Sequence, residues 1–208
     1  MTGEFMVDLP VLLTQYYVQL LAIMNPFSAL PTYISLTERL SKEERERIVR
    51  RAFWAMLTIM LVFTFLGSTI LEVFNISLAS LRIGGGIVLM VLAVDMLGEM
   101  PRTKRVEPTD MAVVPIATPL IVGPGTLTTI LLLTSSERTL TNMALIVVAE
   151  LVAVATTYLI LKFSDTLVRF LRVSTVRALG RFMSIIIASV AVDMIAKGVY
   201  GYIVSVYK

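Results

Sequence analysis

The chain has no cysteine and no histidine among its 208 residues. Without cysteine there are no disulfides, thiolate metal sites or cysteine nucleophiles, whatever the compartment. Without histidine the commonest proton shuttle and metal ligand is missing, so proton handling falls to Asp, Glu or Tyr. Charge is scarce as well: 16% of residues are charged against 57% hydrophobic, and the mean hydropathy is +0.85. A soluble domain of this length needs more polar surface, which points to an all-α integral membrane protein. The first ten residues hold Glu4 and Asp8 but neither Lys nor Arg. A cleavable signal peptide begins with positive charge, so this stretch reads as the lead-in to a first span. The net charge of +3 reads as a topology signal rather than a nucleic-acid surface, because the basic residues gather in particular loops. No cofactor or metal site is expected.

What is present is six apolar stretches, at Leu9–Leu36, Ala52–Leu71, Ile83–Leu97, Met111–Thr134, Met143–Leu161 and Phe182–Val206. A span needs about 20 residues. The first stretch is too long, since as one helix it would reach about 42 Å. It contains Pro26 and Pro31, and the fourth contains Pro115, Pro119 and Pro124. Proline removes a backbone donor, clashes with the preceding turn and pushes the residue before it out of the helical region. Segments one and four are therefore predicted to be broken or re-entrant. The loops after segments one, three and five hold 14 of the 18 basic residues, among them Arg39, Lys42, Arg45, Arg102, Lys104, Arg105, Arg169 and Arg177. The positive-inside rule then places both termini outside a cell (inner, cytoplasmic) membrane. Ser41-Lys42-Glu43-Glu44 has the spacing of a capping box at the start of segment two.

The chain also repeats itself. Pro26 of Asn25-Pro26-Phe27-Ser28 and Pro124 of Gly123-Pro124-Gly125-Thr126 are 98 positions apart, as are the aspartates of Ala93-Val94-Asp95-Met96 and Ala191-Val192-Asp193-Met194. One offset carries segments one to three onto four to six. A unit with an odd number of spans begins its second copy on the opposite membrane face. The expected architecture is thus two inverted-topology repeats of three spans: residues 1–100, a cytoplasmic linker at 101–110, and residues 111–208. Inverted repeats with broken helices in matching positions point to a secondary-transporter site.

Each break exposes unpaired N–H groups on the half-helix after it and unpaired C=O groups on the half before it. The first carries partial positive charge and the second partial negative charge. Donors are expected from Phe27, Ser28 and Ala29 at one break and from Gly125, Thr126 and Leu127 at the other. The matching acceptors are the carbonyls of Ala22, Ile23 and Met24 and those of Leu120, Ile121 and Val122. Gly123 and Gly125 allow close approach to the backbone, while Thr118, Thr126 and Ser28 add hydroxyls. Opposed breaks offer cradles for a carboxylate and an ammonium without formal charge, and the ligand that suits them is a small zwitterion. The alternative is a pair of packing kinks whose freed groups are satisfied by neighbouring helices.

Carboxylates at membrane depth are the second signal. One at the bilayer centre costs about 2.5–3.5 kcal/mol on insertion scales, so it should face a cavity or a partner. Asp95 and Asp193 read either as coupling-ion or gating groups or as acceptors for the freed N–H groups. Lys197 can neutralise Asp193 at i+4, whereas Glu99 stands in the matching position after Asp95. Glu150, in segment five, has Ala52 as its repeat partner and is a single-copy candidate for proton coupling. Gln15, Gln19, Tyr16 and Tyr17 read as a polar stripe lining a cavity, or Tyr16 and Tyr17 as part of an outer aromatic belt with Tyr200 and Tyr202. Gly84-Gly85-Gly86 reads as a close-packing site.

The blocks Ile23-Met24-Asn25-Pro26-Phe27-Ser28-Ala29-Leu30-Pro31 and Ala117-Thr118-Pro119-Leu120-Ile121-Val122-Gly123-Pro124-Gly125-Thr126 resemble the MarC family of membrane proteins, over essentially the whole chain. That family includes SnatA-type transporters of small neutral amino acids such as alanine and glycine, proposed to run on a proton gradient. The resemblance implies amino acid transport with Asn25 to Ala29, Thr118 and Gly123 to Thr126 at the site, and a proton (or sodium) as coupling ion. Import against export, and monomer against homo-oligomer, stay open. A channel or an exporter of another small solute is the alternative. An intramembrane aspartyl hydrolase would need a Gly-x-Gly-Asp motif that the chain lacks, and no enzyme activity is expected.

Overall fold

The structure, a computed structural model, describes residues 5–97, 121–136 and 139–206. These residues form helices and connecting turns, with no strand among them. Helix α1 (Phe5–Met24) ends where Asn25 turns into the left-handed region at φ 40°, ψ 62°, and α2 (Pro26–Thr37) begins at once. Proline at the first helical position loses nothing, because its missing N–H would be an orphan there anyway. The expected break in segment one therefore falls between Met24 and Pro26. Pro31, by contrast, is accommodated inside α2.

Ser41 starts α3 (Lys42–Val73) with the full capping box: its hydroxyl accepts from the Glu44 N–H, and the Glu44 carboxylate accepts from the Ser41 N–H at 2.8 Å. The Ser41 backbone and side-chain hydrogen bonds hold the Glu44 carboxyl below its ordinary pKa. The box is thus present at neutral pH and is lost as pH falls through that lowered value. Helix α4 (Leu78–Leu97) follows a turn through Asn75 (φ 51°) and is opened by Ser77, whose hydroxyl accepts from the Ser80 N–H. In the second half, α5 (Pro124–Ser136) and α6 (Leu140–Lys162, capped by Thr139) precede α7 (Ser164–Val206). Residues 98–120 lie outside the described part. With them lie Thr118, Pro115, Pro119, the linker and the basic residues Arg102, Lys104 and Arg105.

Among the described residues four helices are long and apolar enough to cross a membrane: α3, α4, α6 and the Ser174–Ser205 part of α7. They coincide with the four segments expected to be unbroken. One expectation needs correcting. The loop placed between segments five and six, through Arg181, is helical from Ser164 onward. No Pro or Gly occurs from Ser164 to Leu179, and Leu, Arg and Ala are strong helix formers. Hydropathy reports where a helix leaves the apolar layer, not where it ends.

Packing is built on close approach. Helix α4 makes its largest contact with α7, α3 packs on α6 and α5, α1 on α6, α2 on α7, and α5 on α4. A Cβ at Gly86 would sit 2.8 Å from the Ala191 carbonyl oxygen, and one at Gly198 would sit 3.0 Å from that of Ala79. The α4–α7 seam is thus a backbone-to-backbone contact of the kind that small residues permit between membrane helices. Small residues Ala149 and Ala153 of α6 share one buried core with Met56 and Met60 of α3. Tyr16 and Tyr17 tie α1 to α6: the Tyr16 hydroxyl donates to Asn142 Oδ1 at 2.7 Å, and the Tyr17 and Thr156 hydroxyls share a hydrogen bond. At the ends of α3 and α7, Arg45 pairs with Asp165 at 3.1 Å and donates to the Glu38 carbonyl. Two of the basic stretches read as loops on one side are therefore brought to one end of the molecule.

Candidate functional site at the two helix breaks

Asn25 is 1% exposed, and each polar atom of its amide has work. Oδ1 accepts from the Ser28 N–H at 3.3 Å, capping α2. Nδ2 donates to the Gly180 carbonyl at 3.2 Å and to Met96 Sδ at 3.4 Å. The break is thereby pinned to α7 and to the end of α4. Gly180 faces Ser28 so closely that a Cβ there would lie 2.6 Å from the Ser28 hydroxyl oxygen. Pro26 and Ala29 are buried, and Phe27 and Ser28 half-buried.

The expected second break is described from Ile121 onward. Ile121 and Val122 are buried, Gly123 is non-helical, and α5 starts at Pro124. The Gly123 carbonyl accepts from the Leu127 N–H at 3.1 Å. The Thr126 hydroxyl donates to the Ile121 carbonyl at 3.3 Å, so a side chain of α5 satisfies one of the carbonyls freed before the break. A Cβ at Gly125 would lie 2.7 Å from Leu89 Cδ2 and 3.6 Å from Ile23 Cγ2. The start of α5 therefore packs on α4 within reach of the end of α1. Gly125 and Thr126 are buried, and Pro124 is exposed.

The expected cradle is partly filled by the chain itself. The Ser28 N–H is taken by Asn25 and the Ile121 carbonyl by Thr126. Two cavities are lined by none of Asn25 to Ala29 or Gly123 to Thr126. One, of about 290 Å³, is lined by Leu71, Glu72, Asn75, Ile76, Ser77, Leu78 and Ser135. The other, of about 270 Å³, is lined by Pro31, Ile34, Ser35, Glu38, Val168 and Val176. Leu78 and Val176 occupy corresponding positions under the 98-residue offset.

The three carboxylates are sorted differently by the fold. Asp193 is exposed and pairs with Lys197 at 2.7 Å, as its i+4 spacing allows. Asp95 is half-buried on α4, next to the Met96 that touches Asn25. Glu150 is fully buried, with the Thr64 hydroxyl donating to Oε1 and Oε2 without a hydrogen-bond partner.

Residues 11–203 match the MarC family of integral membrane proteins. The chain belongs to the MarC family. It is 32% identical over 199 residues to a UPF0056 membrane protein of Methanocaldococcus jannaschii, covering 90% of this chain and 97% of that one. It is 28% identical over 195 residues to the UPF0056 membrane protein YvbG of Bacillus subtilis, covering 89% and 92%. An Archaeoglobus fulgidus UPF0056 membrane protein is 32% identical over 197 residues, covering 91% and 92%. No solved structure matches.

In this MarC protein, three residues that contact either the first break or the buried Glu150 escape a reading of the sequence. Gly180 lies in the stretch read as a loop, Met96 is hidden beside the more conspicuous Asp95, and Thr64 is a lone hydroxyl in an apolar run. Only the repeat pointed near Met96, because its motif ends on that residue and on Met194.

Proposed function

We propose that this MarC protein is a secondary active transporter of small neutral amino acids, of the alanine, glycine, serine and threonine class. It holds the zwitterion between the two broken helices and works by alternating access coupled to a proton gradient across the cell membrane. The observation that supports this most is that the end of α1, at the Asn25 break, lies within reach of the start of α5 after Gly123. Half-helix ends of opposite polarity converge there without a formal charge. In the state described, the side chains of Asn25 and Thr126 occupy part of the backbone hydrogen-bonding capacity, as a closed site without substrate would require.

The inverted repeat has support in the packing. Shifting by 98 residues exchanges α2 with α5, and α4 with the corresponding part of α7. The α2–α7 contact then maps onto α5–α4, and α3–α5 onto α6–α2, and each is present. The two cavities, with Leu78 and Val176 in equivalent positions, are where access from opposite faces would begin. On this reading both termini are outside and the Arg45–Asp165 end is in the cytoplasm, which the distribution of basic residues supports.

The test is uptake of labelled alanine and glycine into proteoliposomes, with and without an imposed proton or sodium gradient. Saturable uptake that is stimulated by an inward proton gradient and counterflows against unlabelled substrate is expected. Non-saturating conductance without counterflow would replace the transporter by a channel. If no neutral amino acid moves or counterflows, the substrate reading fails.

A further inference from the structure

Glu150 is the eleventh of the 23 residues of α6, so roughly 15–18 Å of helix separates it from each end. It faces the seam with α3, where Thr64 is 1% exposed and Glu150 0%. The buried residues within about a turn of the pair along α3 and α6 (Met60, Gly67, Ile146, Ala149, Ala153 and Val154) carry no polar side-chain atom. Thr64 supplies one hydrogen bond, to Oε1, while Oε2 is buried with none. An ionised carboxylate in that setting would be a nearly isolated charge in a low-dielectric interior, which neutralisation by a proton relieves.

The elements packed on α6 bring no charge to offset it. The apolar part of α3, from Ala52 to Leu71, and all of α5 carry no titratable side chain. Helix α1 presents Tyr16 and Tyr17, whose hydroxyls are engaged by Asn142 and Thr156. Helix α2 presents Tyr33, and Asp165 of α7 is paired with Arg45. A sodium ion would need several oxygen ligands, and among the described hydrogen bonds the Glu150 carboxyl has one, from the Thr64 hydroxyl.

We propose that the Thr64–Glu150 pair is a proton-binding site in the centre of the membrane, with Thr64 as its positioning residue. The carboxylate takes up one proton at Oε2 when the α3–α6 seam closes, becoming a neutral acid, and releases it when the seam opens to water. Thr64 donates to Oε1 in both states and fixes the orientation of the group. Under the 98-residue offset Glu150 corresponds to Ala52 and Thr64 to Lys162, so the site exists once per chain. Its role in coupling rests on the transporter reading above; its protonation does not.

The full chain, reconstituted in lipid, is examined by infrared difference spectroscopy between acidic and alkaline pH. A protonated-carboxyl C=O band is expected in the wild type. It should be absent in Glu150→Gln, shifted in Thr64→Val and returned to its wild-type position in Thr64→Ser. The lack of any Glu150-dependent band, or a band that responds to sodium at fixed pH, would overturn the site. For coupling, Glu150→Gln is expected to reduce gradient-driven accumulation about tenfold or more, within the 5–150-fold span of ordinary coupling energies. Substrate exchange without a gradient should persist. Undiminished accumulation by Glu150→Gln would overturn the coupling role. A wild type that transports no neutral amino acid but shows the band would sink the substrate reading and leave the proton site standing.

Discussion

Asn25→Ala is expected to destabilise the protein by about 2–4 kcal/mol and to abolish the transport proposed for it. Three separate losses combine. An L-residue without a local side-chain hydrogen bond pays about 1–2 kcal/mol in the left-handed region. Removing an N-cap costs about 0.5–2 kcal/mol. The amide that donates to the Gly180 carbonyl also goes, though that carbonyl keeps the Ser184 hydroxyl at 3.0 Å as a second donor. This moderates the penalty for an unsatisfied buried group. Asn25→Gly separates the contributions, since glycine adopts the left-handed conformation freely. It should recover about 1 kcal/mol of the alanine loss without restoring transport. Thermal unfolding in detergent and proteoliposome uptake, run on both variants, check this. Equal stability of Asn25→Ala and the wild type would remove the pinning role assigned to the residue.

Gly86→Val should be the most damaging single substitution in the α4–α7 seam. Its Cβ would fall 2.6 Å from Ile195 Cγ1, 2.8 Å from the Ala191 carbonyl oxygen and 3.2 Å from the Ile195 nitrogen. Side chains can swing aside, but two of these atoms are backbone, so the helices must separate. Overpacking of this kind costs about 1–3 kcal/mol, and more when the backbone is in the way. Gly84→Val is the control, because a Cβ there meets nothing within 4 Å and the same helix-propensity change applies. Circular dichroism melts should show a loss of about 3 kcal/mol for Gly86→Val and little change for Gly84→Val. Equal effects would mean that helix propensity, not contact, governs the Gly84-Gly85-Gly86 run.

Much of this fold was legible before any coordinates, and for identifiable reasons. Spans α3, α4 and α6 and the later part of α7 stand out because lipid demands long apolar runs. The break at Asn25-Pro26 stands out because proline cannot continue the ladder. The Ser41–Glu44 box was readable because both partners are local. What distance in sequence conceals is the tertiary half of the site. Nothing adjacent to Asn25 indicates that its amide reaches Gly180, 155 residues away. Nor does Thr64 advertise a carboxyl 86 residues on. The aspartate pair shows the opposite problem: a repeated letter draws attention, yet in the fold Asp193 is exposed and paired with Lys197. Among the described residues, the unrepeated Glu150 is the acid that is buried.

Helix α7 runs unbroken for 43 residues, about 64 Å, and holds Gly180 against the first break and Ala191 against Gly86. Gly180 and Ala191 lie about 16 Å apart along one continuous helix, so the contact at the first break and the α4–α7 seam share a single support. A displacement imposed at either contact is carried to the other through an unbroken ladder of backbone hydrogen bonds.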